Sequence, residues 1–319
     1  MKRNAGARSS APPRSQVTEE TLFDAQRLRR WAIAPVKRRF TRNDTMLYAL
    51  GLGLGGDRCS ADELRFVYER GLQALPSFGT VLAYPFLWYA EPGTGVDLLH
   101  VVHAEMGFQN HAALPVEGEV IGRTQVTAVR DKGAQVGALL VTECTVRDAA
   151  SGALLCTLQS SSLARKLGGF DPKGLERGSA PEPWPEREPD AVFEMPTLPQ
   201  QALIFRLSGD WNPLHADPER ARAAGHPRPL LHGRCTFGMA AWALQRTLCG
   251  GHAARLTAMH ARMSGPVYPG ETLRTEAWRS GSQIRFRTRV PARQATVLSQ
   301  GTALITPEHS STVTRRQTA

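Results

Sequence analysis

The chain has 319 residues, of which 41% are apolar, and it carries a formal net charge of +10. This length allows one large domain or two of ordinary size, and the apolar content is enough for a buried core. Eleven basic and three acidic residues lie in residues 1–42, whereas the remaining 277 residues hold 28 basic and 26 acidic ones. Because the basic excess lies in an amino-terminal arm, and the body has neither zinc-finger spacing nor an RRM-type aromatic motif, we exclude nucleic-acid binding.

The lack of a recognisable targeting signal, together with the cysteine usage, predicts a cytoplasmic protein. The first ten residues, MKRNAGARSS, lack the apolar core of a signal peptide. The most apolar stretch, FGTVLAYPFLWYA, is too short to span a bilayer and is interrupted by Pro85, so we expect no membrane segment. The five cysteines form no CxxC pair, which favours buried thiols in a reducing compartment.

In chain order, both halves of the sequence present the same series of short blocks. The first half contains YALGLG, SFGTVLAY, HAEM and PVEGE, and the second contains FRLSGD, TFGMAAWAL, HARM and PVYPGE. The blocks keep their order and nearly their spacing, which indicates an internal duplication. Residues 165–190 lie between the two copies and are rich in Gly, Pro and charge, as is typical of a linker.

Alternating apolar and polar residues follow the last block in each half. The first half has EVIGRTQVTAV, ALLVTECTV and LLCTLQSSSLA, and the second has TLRTEAW, QIRFRTRV and TVLSQGTALI. Gly-containing turns separate these runs, which predicts antiparallel strands. The earlier stretch CTFGMAAWALQRTL does not alternate and predicts a buried helix rich in small residues. Each half is therefore predicted to be one apolar helix with an antiparallel sheet wrapped round it, an α+β fold.

These patterns divide the chain into five predicted regions. They are a flexible basic arm (1–30), a first repeat (31–164), a linker (165–190), a second repeat (191–306) and a flexible tail (307–319).

The segment RLSGDWNPLHADPERARAAG holds an aspartate and a histidine five residues apart, Asp210 and His215. Asp217 is predicted to cap a short helix, with Pro218 at its first position and Gly225 at its end. The pair therefore lies in the turn before this helix, where two side chains can point at one spot. A carboxylate and an imidazole together suit proton transfer near neutral pH. The alternative is a turn aspartate and a packed histidine.

The duplication favours the catalytic interpretation of this pair. With an offset of 157 residues, the first half has Gly53 at the position of Asp210 and Arg58 at the position of His215. A requirement of the scaffold would apply to both copies. We therefore expect the pair to have a function that is confined to the second half.

The stretch PLLHGRCTFG places Gly233 just before the predicted buried helix. There its amide can polarise a ligand carbonyl with the positive end of the helix behind it; the alternative is a plain turn glycine. We interpret the adjacent His232 as structural. We find no metal-ligand spacing, phosphate-binding loop or nucleophile elbow, so no metal is expected.

The stretch LSGDWNPLHADPERARAAG…PLLHG resembles the hydratase 2 motif of the MaoC-like enoyl-CoA hydratases, a family that includes the hydratase domain of peroxisomal multifunctional enzyme type 2. The likeness extends to LYALGLG, LPSFGTVLAYP, LARKLGGF and ARMSGPVYPGETLRTEAW, and thus runs from about residue 30 to 305. It implies a double hot-dog fold and reversible syn hydration of a trans-2-enoyl-CoA to a (3R)-3-hydroxyacyl-CoA. It implies no cofactor, since coenzyme A is part of the substrate.

Carried over by motif, the resemblance makes Asp210 and His215 the catalytic dyad, with Asn212 supporting their geometry. It makes Gly233 the donor of the amide that polarises the thioester oxygen. Charge that develops on that oxygen is then met by a fixed dipole.

The same blocks imply acyl-CoA contacts at His103, Ala104, Lys132 and Met263. The chain departs from the usual family pattern in having Ala104 after the histidine, Met263 in place of an aromatic residue, and Phe205 in place of a tyrosine. None of these departures touches the dyad. The first half, which lacks the pair, is expected to accommodate the acyl chain.

Two other functions remain open from the sequence. A hot-dog thioesterase would need a carboxylate on its central helix, and CTFGMAAWALQRTL has none. An acyl-CoA-binding module without turnover is the other alternative, although both members of the dyad are present. A homodimer is also possible.

Overall fold

The structure, a computed structural model, describes residues 23–57, 59–171, 173–174 and 182–306. The tail at 307–319, Arg58, most of the predicted arm and part of the predicted linker lie outside the described residues. The boundaries of the five predicted regions therefore stay a prediction.

Seven helices and ten strands are found in this part of the chain. The helices are α1 Ala25–Arg29, α2 Arg42–Gly51, α3 Ala61–Val67, α4 Gly79–Leu82, α5 Gln201–Phe205, α6 Pro218–Ala223 and α7 Gly233–Leu248. The strands are β1 Val36–Phe40, β2 Val101–Asn110, β3 Gly118–Asp131, β4 Ala138–Asp148, β5 Leu154–Ala164, β6 Ala191–Pro196, β7 Leu256–Met263, β8 Thr272–Ser280, β9 Gln283–Val290 and β10 Ala295–Ile305.

All ten strands form one antiparallel sheet in the order β1-β3-β4-β5-β2-β7-β10-β9-β8-β6. Each half of this order is the mirror image of the other, because β1 to β5 correspond in sequence to β6 to β10. The equivalent strands β2 and β7, which carry HAEM and HARM, pair with each other at the centre, with Met106 opposite Ala261. The α+β class predicted from the sequence is confirmed, and the strand order repeats as a duplication requires.

The second repeat wraps its strands round α7, whose residues 234–245 are all buried. Small side chains allow this burial, and Gly238 shows the reason most directly. A methyl group at Gly238 would lie 2.7 Å from Leu52 Cδ2 and 2.8 Å from Tyr48 Oη. Only glycine therefore lets α2 of the first repeat approach α7 this closely, and the two repeats share one hydrophobic core.

The helix of the first repeat differs from the sequence prediction. We expected an apolar helix in both repeats, but α4 has only four residues and follows a short 3-10 turn at Pro76–Phe78. The chain leaves the helical conformation at Ala83. Pro85 then prevents the helix from resuming, because proline disfavours a helical Tyr84 before it and has no amide hydrogen to donate. No proline follows Gly233 within α7, which continues to Leu248.

Candidate active site

A single loop between α5 and α6 carries Asp210, Asn212 and His215. It leaves α5 through a 3-10 turn at Arg206–Ser208 and reverses direction at Gly209, whose φ of +123° favours glycine. The predicted cap is present, since the Asp217 side chain accepts hydrogen bonds from the first amides of α6. Pro218 occupies the first turn of α6 and Gly225 follows its end with a φ of +84°. The loop is thus fixed at both ends by local signals.

The loop brings the predicted dyad together. Ligand atoms of Asp210, His215 and His232 all lie within 4.8 Å of one another. His215 Nδ1 lies 3.0 Å from the carbonyl oxygen of Leu230. Because a carbonyl only accepts, Nδ1 carries the hydrogen, and Nε2 of His215 presents a lone pair.

Burial lowers the pKa of His215, and the charge of Arg206 lowers it further. The Asp210 carboxylate and the hydrogen bond to Leu230 raise that pKa in part, but the net direction is downwards. Since the ordinary value for histidine is about 6.5, the His215 imidazole is neutral at pH 7. A neutral imidazole beside a carboxylate is ready to accept a proton.

Asn212 supports the turn between the two dyad residues. Its backbone amide donates to the Asp210 carboxylate at 3.3 Å, and its side-chain oxygen accepts from the Leu214 amide at 3.0 Å. These bonds fix the 3-10 turn at Pro213–His215, which Pro213 also stiffens. The structure therefore places Asn212 where it holds the backbone between Asp210 and His215.

His232, which the sequence analysis treated as structural, lies against both members of the dyad. It is fully buried, its Nε2 lies 3.1 Å from the Asp210 carbonyl oxygen, and its ring centroid is 3.7 Å from that of His215. Burial lowers its pKa well below the usual value, so the ring is neutral and donates to the carbonyl. His232 therefore supports the backbone of one dyad residue and the ring of the other.

The three-residue cluster also offers the ligand types of a metal site. His215 Nδ1 and His232 Nε2 are both committed to backbone carbonyls. The remaining ring nitrogens belong to two stacked rings inclined by only 30°. Two of the four ring nitrogens are therefore already occupied by hydrogen bonds.

Gly233 is the first residue of α7, so its amide has no carbonyl partner within its own helix. A methyl group at this position would lie 3.5 Å from Met263 Sδ and 3.7 Å from His103 Nδ1. Two of the predicted acyl-CoA contacts are thus neighbours of the predicted oxyanion donor. Burial and the Arg234 charge lower the pKa of His103 to about 3, so this ring is also neutral.

The other two predicted contacts are placed differently. The pairing of β2 with β5 shifts register between His103 and Glu105, so Ala104 is the extra residue of a β-bulge. Lys132 lies in the turn between β3 and β4, where its amide donates to Gly137 at 2.9 Å. The strands β4 and β5 lie between this turn and β2.

Two repeats that share one antiparallel sheet define the class of the protein, a double hot-dog protein whose cluster of Asp210, His215 and His232 lies in its second repeat. The comparisons with known proteins agree with this description. The model of the MaoC-like domain matches residues 181–300, and that of the MFE-2 hydratase 2 N-terminal domain matches residues 39–166.

Relatives match nearly the whole chain. Enoyl-CoA hydratase ChsH3 of Mycobacterium tuberculosis is 40% identical over 86% of this chain and 95% of its own. Peroxisomal enoyl-CoA hydratase 2 of Arabidopsis thaliana is 34% identical over 88% of this chain and 96% of its own. The crystal structure of a MaoC-like dehydratase from Phytophthora capsici has a TM-score of 0.76 at 31% identity, covering 89% of this chain and 99% of that one. The chain belongs to the MaoC-like hydratase 2 family, which confirms the resemblance seen in the sequence.

None of the described helices has both the length and the hydropathy that a bilayer span requires.

Proposed function

We propose that the protein catalyses the reversible syn addition of water to a trans-2-enoyl-CoA, giving a (3R)-3-hydroxyacyl-CoA. One observation carries this proposal: polar side-chain atoms of Asp210 and His215 lie within 4.8 Å of each other, beside His232, which directly precedes α7. The names of the two hydratase relatives support the class of substrate.

His215 is the base in the hydration direction. Its Nδ1 hydrogen is held by the Leu230 carbonyl, which leaves the Nε2 lone pair to accept a proton from water. The lowered pKa keeps this nitrogen unprotonated at neutral pH. Water loses one proton to Nε2 while its oxygen forms a bond to C3 of the substrate.

Asp210 stabilises the imidazolium that this step produces. Its carboxylate already raises the pKa of His215, and that effect grows in importance once the ring is charged. The proton on Nε2 then moves to C2 on the same face of the substrate. Both the hydroxyl group and the hydrogen come from one water molecule, which accounts for syn addition without any further reactant or cofactor.

The Gly233 amide donates a hydrogen bond to the thioester oxygen and so stabilises the negative charge that develops there. When the hydroxyl adds to C3, the electron pair of the alkene moves toward that oxygen, and protonation of C2 returns it. An amide at the start of a 16-residue helix is oriented before the reaction begins. Removing one such donor typically costs about 10²–10³ in rate.

The acyl-CoA is proposed to contact His103, Ala104, Lys132 and Met263. His103 and Met263 adjoin Gly233, so they are assigned to the thioester end of the substrate. Lys132 is assigned to the coenzyme A portion, which carries several phosphates. The first repeat, which lacks the dyad, is assigned to the acyl chain.

A cytoplasmic location and a homodimer remain proposals from the sequence. The relative from Arabidopsis thaliana is named as peroxisomal, so the family has at least one peroxisomal member. Fractionation of cells that produce the full chain, and light scattering of the purified protein, would test the two proposals separately.

The function is tested by mixing the purified protein with crotonyl-CoA and, separately, with a longer enoyl-CoA. The absorbance of the conjugated thioester and the concentration of free thiol are followed together. We expect the absorbance to fall without release of thiol. The product should be oxidised by a (3R)-specific and not by a (3S)-specific 3-hydroxyacyl-CoA dehydrogenase.

Asp210→Asn and His215→Gln should each lower kcat by about 10² or more, since the first removes the charge that stabilises the imidazolium and the second removes the base. Glu219→Gln is the matched control, because it neutralises an exposed carboxylate on α6, outside the cluster. Release of thiol would instead identify a thioesterase, and binding of the enoyl-CoA without any reaction would identify an acyl-CoA-binding module. An Asp210→Asn variant as fast as the wild type would refute the assigned dyad.

A further inference from the structure

Arg38 of the first repeat contacts the loop between α5 and α6 of the second repeat, which carries Asp210 and His215 and is called the dyad loop below. Its Nη1 donates to the Val81 carbonyl at 2.9 Å and to the Ser208 carbonyl at 3.0 Å. Val81 lies in the last turn of α4, and Ser208 lies two residues before Asp210. One guanidinium therefore joins the short helix of the first repeat to the entrance of the dyad loop.

The last turn of α4 needs such donors. Carbonyls in the last turn of a helix have no amide partner within that helix, and buried ones must be satisfied from elsewhere. The Val81 carbonyl receives Arg38, and the neighbouring Thr80 carbonyl receives Arg234 Nη1 at 3.0 Å. Arg234 directly follows Gly233, the proposed oxyanion donor. Two adjacent carbonyls of the first repeat thus anchor the two sides of the active site.

The dyad loop fits closely on Arg38. Gly209 turns the chain with a φ of +123°, and a methyl group there would lie 3.3 Å from Arg38 Nη1 and 3.3 Å from Phe86. Ser208 is 4% exposed, so its carbonyl has little access to water as an alternative donor. The guanidinium is itself held by Asp44, whose Oδ1 lies 3.6 Å from Arg38 Nη2. This is a fixed contact between repeats and not a mobile surface arginine.

We propose that Arg38 is a positioning residue for catalysis, which sets the separation of the Asp210 carboxylate from the His215 imidazole by fixing the turn at Ser208 and Gly209. This inference rests on the proposed hydratase function. It also gives the first repeat a second role, that of holding the catalytic loop of its sister.

The pH dependence of kcat/KM reports on this separation. The charged and titratable groups that face His215 are Asp210 and Arg206 of its own loop and His232 at the start of α7. Of these, only Asp210 raises the pKa of His215. If the loop loosens and the carboxylate moves away, the pKa of His215 falls, and the acid limb of kcat/KM moves to lower pH.

The test compares Arg38→Met and Arg38→Lys with the wild type in crotonyl-CoA hydration. For Arg38→Met we expect kcat to fall about 10- to 100-fold, since small misplacements of catalytic groups have effects of this size. KM should change less than threefold, and the acid limb should move to lower pH. Arg38→Lys keeps a cation that can donate to the same carbonyls, so it should restore part of kcat and return the limb toward the wild-type position.

Two neighbouring variants act as controls. Lys37→Met removes an exposed cation from the same strand, where Lys37 pairs with Glu119 at 3.1 Å. Asp44→Asn removes the ion pair that helps to hold the guanidinium but leaves both carbonyl contacts. Lys37→Met should keep the wild-type kcat and acid limb, and Asp44→Asn should move the acid limb less than Arg38→Met does, even if it lowers the unfolding midpoint through the cap of α2.

An Arg38→Met variant with wild-type kcat and acid limb would overturn the inference. So would a loss of kcat that follows the loss of stability, with an unmoved acid limb and no rescue by lysine. If Arg38→Met does not fold, Arg38→Gln replaces it, because the shorter neutral side chain cannot donate to both carbonyls, and wild-type kcat with a wild-type acid limb in that variant overturns the inference. Failure of the proposed function is distinguishable, because the wild type itself would then not hydrate crotonyl-CoA.

Discussion

Replacing Gly238 by alanine tests whether the contact between the two repeats limits stability. The position lies inside α7, where alanine is favoured over glycine by about 1 kcal/mol from helix propensity. Against this gain, the new methyl group would lie 2.7 Å from Leu52 Cδ2 and 2.8 Å from Tyr48 Oη. Both distances are too short for carbon contacts, so α2 and α7 must move apart.

The magnitudes decide the sign of the effect. Overpacking of this kind costs about 1–3 kcal/mol. Moving Tyr48 also disturbs its hydrogen bonds to the Ser77 carbonyl at 3.1 Å and hydroxyl at 3.0 Å, which contributes about 1 kcal/mol more. After the gain in helix propensity, we expect Gly238→Ala to lower the free energy of unfolding by about 1–3 kcal/mol.

The assay is equilibrium unfolding in urea, in which the midpoint should fall while the slope stays constant. Tyr48→Phe provides the matched background, because it removes the hydroxyl that the new methyl group meets. In that background the cost of Gly238→Ala should be smaller by about 1 kcal/mol, a coupling expected of residues in contact. A Gly238→Ala midpoint at or above that of the wild type, or an equal cost in both backgrounds, would refute the reasoning.

Two further predictions concern activity. Because the pKa of His215 is lowered, its base form persists to more acidic pH. A plot of log kcat/KM of the wild type against pH should therefore fall with a slope of one below a midpoint that lies under pH 6.5. Crotonyl-CoA hydration measured over a range of pH checks this, and a midpoint above 6.5 would contradict it. Gly233→Ala should leave the unfolding midpoint nearly unchanged, since the added methyl group meets Met263 and His103 at ordinary contact distances, but it fills the proposed thioester site and should lower kcat/KM about tenfold. A Gly233→Ala variant with wild-type kcat/KM would contradict that placement.

The sequence was most informative where the signals are local. The cap at Asp217, the proline after it and the glycine at the end of α6 lie within ten residues, and each acts on its own neighbours. They placed Asp210 and His215 in a turn before a helix, and the structure has them there. Strand alternation and repeated blocks likewise predicted the sheet and its duplication, because side-chain direction along a strand depends on period alone.

Contacts between distant residues were not predictable in this way. The bonds from Arg38 to Ser208 and from Arg234 to Thr80 span 170 and 154 residues, and no local pattern indicates them. The stacking of His232 on His215 depends on the path of the chain between α6 and α7. The sequence offered only its position next to Gly233. The short α4 had one available signal, Pro85, which we had used only against a membrane segment.

The pairing of β2 with β7 has a consequence for how such a protein can be divided. Each of these strands is flanked on both sides within the sheet. A fragment that ends at the linker would keep the pairing of β2 with β5 but would leave the other edge of β2 unpaired over Glu105–Gln109. Unpaired strand edges readily recruit other chains. A separated half would therefore pair with the complementary half or with a copy of itself. The covalent link favours the correct pairing, because it keeps the complementary half close by at all times.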